Sequence, residues 1–161
     1  MDKLSTADKV ILGGGIAYLI FMFLPWYGID VGNEFASVSY DNSGWDYFLG
    51  GILPALLILI MGAHVLIRAF SPDTKLPDLP VPWSQIHLIA GVAVAVILVL
   101  RTLIGSDDVG SIDTGVDLDR KIGLFLALLA AIVVAVGGYL KSQEGDVGPT
   151  TAGPDTGSAP F

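Results

Sequence analysis

Uncharged apolar stretches and short polar ones alternate along the whole chain. The first stretch runs Val10 to Gly28, "VILGGGIAYLIFMFLPWYG", and the second Tyr47 to Ile67, "YFLGGILPALLILIMGAHVLI". The third, Gln85 to Ile104, is broken only by Arg101, and the fourth covers Ile122 to Leu140. A helix rises about 1.5 Å per residue, so about 20 apolar residues cross the roughly 30 Å of bilayer hydrocarbon. All four stretches are near that length. None carries the charged stripe at helical spacing that a soluble amphipathic helix needs. Backbone polar groups in lipid must be satisfied within the segment, so each stretch is predicted to be a helix. The fold class is thus an all-α membrane protein, a four-transmembrane-helix bundle with spans at 10–28, 47–67, 85–104 and 122–140.

The polar segments divide the rest. Residues 1–9 form a short N-terminus. A signal peptide is a poor alternative for this end, because the apolar stretch is longer than the usual h-region and no small-residue cleavage site follows. The tail 142–161 is rich in Gly, Pro, Thr and Ser and is predicted to be disordered, since it cannot bury enough apolar surface to offset chain entropy. Lys3, Lys9, Arg68, Lys75 and Lys141 lie on one side, and Arg120 and Lys121 on the other, with Arg101 near that edge. Lys and Arg favour the cytoplasmic side, so both termini are expected there.

Composition agrees. Of 161 residues, 53% are hydrophobic and only 15% charged, too few charges for a soluble surface of this size. Cysteine is absent, which removes disulfide and thiolate chemistry. No stretch concentrates Lys or Arg, so nucleic acid is not an expected partner.

Aromatic residues cluster at the ends of the predicted spans. Trp26 and Tyr27 close the first, Trp45 precedes the second and Trp83 the third. Amphipathic rings prefer the headgroup level, and an interfacial belt of anchors accounts for all four.

Little in the chain points to chemistry. Arg101 is the one full charge within an apolar stretch, and an ionisable residue there is a functional candidate with a partner to be named. Asp46 or Asp107 would pair with it. Its place near a span end also lets its stem carry the charge to the interface. His64 and His87 fall near the inner ends of the second and third spans. Two histidines without further ligands make a poor metal site. A proton-sensing pair is conceivable, but interfacial histidines with separate hydrogen bonds are the expectation. The five aspartates between 107 and 119 lack the spacing of a calcium loop, and "GGG" at 13–15 lacks the Lys-Ser/Thr of a phosphate loop. No nucleophile, base and orienting group recur together, so neither an enzyme nor a cofactor is expected. In the fourth span Gly123, Ala127, Ala131 and Ala135 repeat every fourth residue, the small-residue seam by which membrane helices approach closely.

In "FLPWYG" followed by "SGWDYF", the chain resembles a loose group of small four-span membrane proteins common in actinobacteria. Shared features are a Pro-Trp end to the first span, a Trp before the second and a Gly/Ala-rich last span, over roughly residues 10–140. The resemblance implies topology and carries no site across. The plan is also similar to claudin-like proteins, but their paired loop cysteines are missing here.

The expected function is non-enzymatic: an interaction protein, scaffold or accessory subunit of a cell-envelope complex in the plasma membrane. Its partners would be the lipid bilayer, further copies of itself or other membrane proteins. The alternative is a small transporter or channel subunit acting as an oligomer.

Overall fold

A computed structural model describes residues 3–33, 35–74, 80–105 and 119–144. The 107–118 part of the acidic segment, the middle of the proline-rich connection and the tail from 145 lie outside the described residues. Four α-helices are present among those described: α1 (Thr6–Phe21), α2 (Leu53–Phe70), α3 (Trp83–Ile104) and α4 (Ile122–Glu144). A π-helical turn, Phe48–Ile52, leads directly into α2. Three helices are long and apolar enough to cross a membrane, Phe48–Phe70, Trp83–Ile104 and Ile122–Glu144, and they mark a membrane protein.

The first stretch departs from the uniform span expected over 10–28. Its helix stops at Phe21, after 16 residues. From Pro25 the chain becomes extended, with β1 (Pro25–Asn33) and β2 (Ala36–Ser43) forming an antiparallel hairpin. A two-residue strand, β3 (Asp119–Arg120), adds to the far side of β1, giving the order β2-β1-β3. Pro25 is tolerated because it is the first residue of its strand. The segment after it is rich in Trp, Tyr, Ile and Val, which suit a pleated surface. Hydropathy reads straight through this change, because protein interior and lipid both accept the same side chains.

Helices α1, α4, α3 and α2 pack in a closed ring, each against two neighbours. Small residues set the spacing. A Cβ on Gly91 of α3 would lie 3.0 Å from the Ala135 Cα of α4, and one on Gly137 would lie 2.9 Å from the Ile11 backbone nitrogen of α1. Gly123, Ala127 and Ala131 are buried, as are Leu124 and Val134 beside them. Ala131→Leu is therefore expected to cost about 1–3 kcal/mol through overpacking. Leu128→Ala, at a half-buried position, is expected to cost less. Melting of the purified protein in detergent compares the two, and equal losses would mean that the 123–135 line is no contact seam.

The N-terminus of α1 is tied to the C-terminus of α4. Ser5 and Asp8 form a capping box, Lys141 pairs with Asp8 at 2.8 Å, and the Ser5 hydroxyl donates to Glu144 at 2.9 Å. Helix α4 thus continues past the predicted boundary at 140, and residues 142–144 are helical.

Candidate functional site

Two polar centres are buried in this apolar framework, one under the sheet and one at the opposite end of α2 and α3.

The first is built around Arg101. A bulge between Pro25 and Tyr27 interrupts the pairing of β1 with β2. Neighbouring residues of a regular strand point to opposite faces, and the bulge breaks that alternation. Both Trp26 and Tyr27 consequently turn inward and are fully buried. The Trp26 indole N–H donates to the Phe21 carbonyl at 2.9 Å, a second bond to an acceptor at the end of α1 that also takes the Leu24 N–H at 3.2 Å. The Tyr27 hydroxyl donates to the Arg101 carbonyl at 2.8 Å, beside the Gly105 N–H that reaches the same oxygen at 3.1 Å at the end of α3. Arg120 of β3 completes that cap, its Nε donating to the Thr102 carbonyl at 2.7 Å and its Nη2 to Leu103 at 3.2 Å. The sheet is in this way attached to the ends of two helices.

The Arg101 side chain does not run out to the interface; the residue is 5% exposed. Its guanidinium carbon lies 3.9 Å from the centroid of the Tyr47 ring and 4.9 Å from that of Tyr27. The two rings themselves meet edge to face at 5.4 Å. Such rings offer negative faces to a cation, and burial strengthens the attraction. The stem passes over Gly50, where a Cβ would lie 2.9 Å from the arginine Cδ. Asp46, one of the two expected partners, makes no ion pair with Arg101. Its carboxylate instead accepts from the Ser43 backbone N–H at 2.7 Å and hydroxyl at 3.0 Å, capping the short turn Gly44–Asp46. Asp107, the other, lies outside the described residues.

Of the four expected anchors, Trp26 and Tyr27 are fully buried against the protein's own side chains. Trp45 is 41% exposed and packs on Phe23 at 5.4 Å. Trp83 is half-buried and stacks on His64. On the sheet's outer side, Lys121 pairs with Asp30 at 2.7 Å. Hydrogen bonding to that carboxylate holds the Lys121 ammonium above its ordinary value.

The second centre joins His64 of α2 to His87 of α3. Where separate hydrogen bonds were expected, the two rings also share one, between Nδ1 of His64 and Nε2 of His87 at 2.8 Å, with both residues buried. Trp83 lies nearly parallel to the His64 ring, 4.2 Å between centroids and 14° between planes. His87 sits at a close approach of α3 and α4, where Gly138 faces the His87 carbonyl and leaves no space for a Cβ. The pair requires one donor and one acceptor nitrogen, so it is a shared-proton contact that fixes one helix against the other. No group of three or more His, Cys, Asp or Glu stands ready for a metal ion among the described residues. His64→Phe keeps a ring against Trp83 but removes the bond to His87. It is expected to cost about 1–3 kcal/mol, the usual penalty for removing one partner of a buried hydrogen bond. Thermal melting of the variant measures the loss, and a wild-type value would show the contact to be dispensable.

Sequence reasoning missed Tyr18, Tyr47, Gly50 and Gly51. The Tyr18 hydroxyl contacts the carbonyls of Gly50 and Gly51 at 3.4 and 3.2 Å, joining α1 to the π-helical turn. The available signal was the Gly-Gly pair at the very start of an apolar stretch, where helix propensity alone disfavours it.

No family model, no curated protein and no solved structure matches the chain.

Proposed function

We propose that the chain is a four-span protein of the cell membrane, with both termini cytoplasmic, that works by interaction as a scaffold or accessory subunit and presents its hairpin on the outer face. The hairpin carries this reading. It is fixed at its base by Tyr27 and Arg120, while Phe35, Val38 and Tyr40 are 94%, 70% and 61% exposed. Among the described residues β2 also stands at the edge of the sheet, with one side of its backbone unpaired by another strand. A firmly based arm with apolar side chains and an open edge suits recognition of another protein. For the fourth span, the 16 residues of α1 rise about 24 Å. The buried turn at Met22 and the start of β1 carry the chain through the remaining depth. Orientation rests on the Lys and Arg imbalance.

A photoreactive amino acid at Tyr40, irradiated in intact cells, is the direct test, with the same residue at Ile132 on the exposed side of α4 as the control. A discrete crosslinked protein from position 40 and none from 132 is expected. Cysteines placed singly at Asn42 and Ser142 report sidedness, since the native chain has none; an impermeant thiol reagent should label only the first. Saturable solute uptake in liposomes, with no crosslink from position 40, would replace the scaffold by the transporter.

A further inference from the structure

Helix α2 is held differently at its two ends. At the sheet end the turn leading into it is fixed. The Tyr18 hydroxyl contacts the Gly50 and Gly51 carbonyls, and Gly51 abuts the backbone of Gly44. Along its length α2 packs more sparsely on α1 and α3 than these do on α4, where Gly91, Gly137 and Gly138 let backbones approach closely. A groove of about 360 Å³, lined by Leu12, Gly15, Ile58 and Gly62 among others, runs along its α1 side. Towards the other end α2 is joined to α3 through His64 and His87, which are 6% and 1% exposed. Their 2.8 Å contact is a hydrogen bond only while one of the two facing nitrogens lacks a proton. With a proton on each, two donors would point at one another and both rings would be cations, with little water to screen them. Trp83 stacks on His64 at 4.2 Å, so turning that ring away costs a second contact. His87 stands where Gly138 holds α3 tightly against α4. Relief therefore falls on α2, the more loosely packed helix.

The charged groups at this end of the surrounding elements are Asp8 and Lys9 of α1, Arg68 of α2, and Lys141 and Glu144 of α4. Asp8 and Glu144 are both engaged by Lys141, at 2.8 and 3.2 Å, while Lys9 and Arg68 are exposed. Lys3, before α1, lies over the Phe70 ring. The connection from α2 to α3 brings Asp73, which is exposed, and Lys75 and Asp78, which lie outside the described residues. We infer that His64 and His87 form a proton-operated latch. One bridging proton holds α2 against α3 at the end where the two termini lie, and a second lets α2 swing from its fixed end at the sheet. Histidine is the side chain that ordinarily changes charge between pH 5 and 8, and two sites in contact take up their protons in coupled steps. The inference rests on the packing of the helices and is independent of what the hairpin binds.

The test uses the full chain in lipid nanodiscs, with spin labels on cysteines replacing Ser71, just past α2, and Ile89 of α3. Both positions are exposed, and the native chain has no cysteine. Pulsed EPR is expected to show the distance between them lengthen by about 2 Å or more from pH 8 to pH 5, the scale of helix shifts in switching proteins, and return on neutralisation. Ring-15N histidine labels report only these two residues, and should show both rings doubly protonated over the same interval. His87→Gln offers an amide that accepts from a protonated His64 or donates to a neutral one, so its pair should stay closed at pH 5. His64→Phe removes the bond and should give one distance at both pH values. An unchanged wild-type distance, or one that lengthens before both rings are protonated, would overturn the latch. Lengthening in His87→Gln as large as in the wild type would overturn it too, and would assign the movement to carboxylates such as Asp8 or Glu144.

Discussion

Arg101→Lys is expected to lower the melting temperature of the detergent-solubilised protein by about 6 °C, and Arg101→Ala by more. A desolvated cation over an aromatic face contributes about 2 kcal/mol. Lysine has no planar group to lie against two rings, so replacing arginine at a stacked site is not conservative. At this chain length 1 kcal/mol corresponds to roughly 2–4 °C, which gives the figure for lysine. Alanine also loses the stem that passes over Gly50 and leaves a void between Tyr27 and Tyr47. The sheet should loosen with it, since Tyr27 both covers the guanidinium and bonds the Arg101 carbonyl. Hydrogen exchange of residues 25–43 reads this directly. A lysine variant as stable as the wild type would return Arg101 to the role of a charge that merely seeks the interface.

Gly51→Ala is expected to be the most damaging of the small glycine substitutions. A Cβ at Gly51 would collide with the backbone carbonyl of Gly44, which no side-chain rotation can relieve. The loss should reach about 3 kcal/mol, the upper part of the usual overpacking range. Gly13→Ala supplies the contrast. A Cβ there meets nothing within 4 Å, so it should leave stability unchanged or raise it by about 0.5–1 kcal/mol through helix propensity. Similar melting temperatures for the two variants would mean that the turn at Gly44 yields more readily than its packing implies.

Composition and apolar length made α2, α3 and α4 legible, because hydrocarbon imposes a single backbone solution on an uncharged stretch of about 20 residues. The end of α1 was not. Leu24 to Tyr27 continues the apolar character of the helix, and the bulge that buries two successive aromatics leaves no periodic trace. Arg101 was singled out by its charge alone. Its cover comes from Tyr27 and Tyr47, far away in sequence, and no spacing rule brings those three together. His64 and His87 were placed at the correct helix ends, yet their mutual bond depends on the rotation of each helix. That rotation is set by contacts such as Gly138 against the His87 backbone.

The attachment of the sheet to the end of α3 has a consequence for biosynthesis. Tyr27 emerges early, but the carbonyl it bonds belongs to Arg101, and its strand gains its third member only when Asp119 and Arg120 arrive. Roughly ninety residues separate the first of these from the last, about 5–20 s of elongation at ordinary rates. Over that interval the hairpin stands without its acceptor, and Trp26 and Tyr27 have no finished interior to enter. A chaperone or protease beside the hairpin would meet the nascent protein in that state, and the closing of β3 onto β1 would end its access.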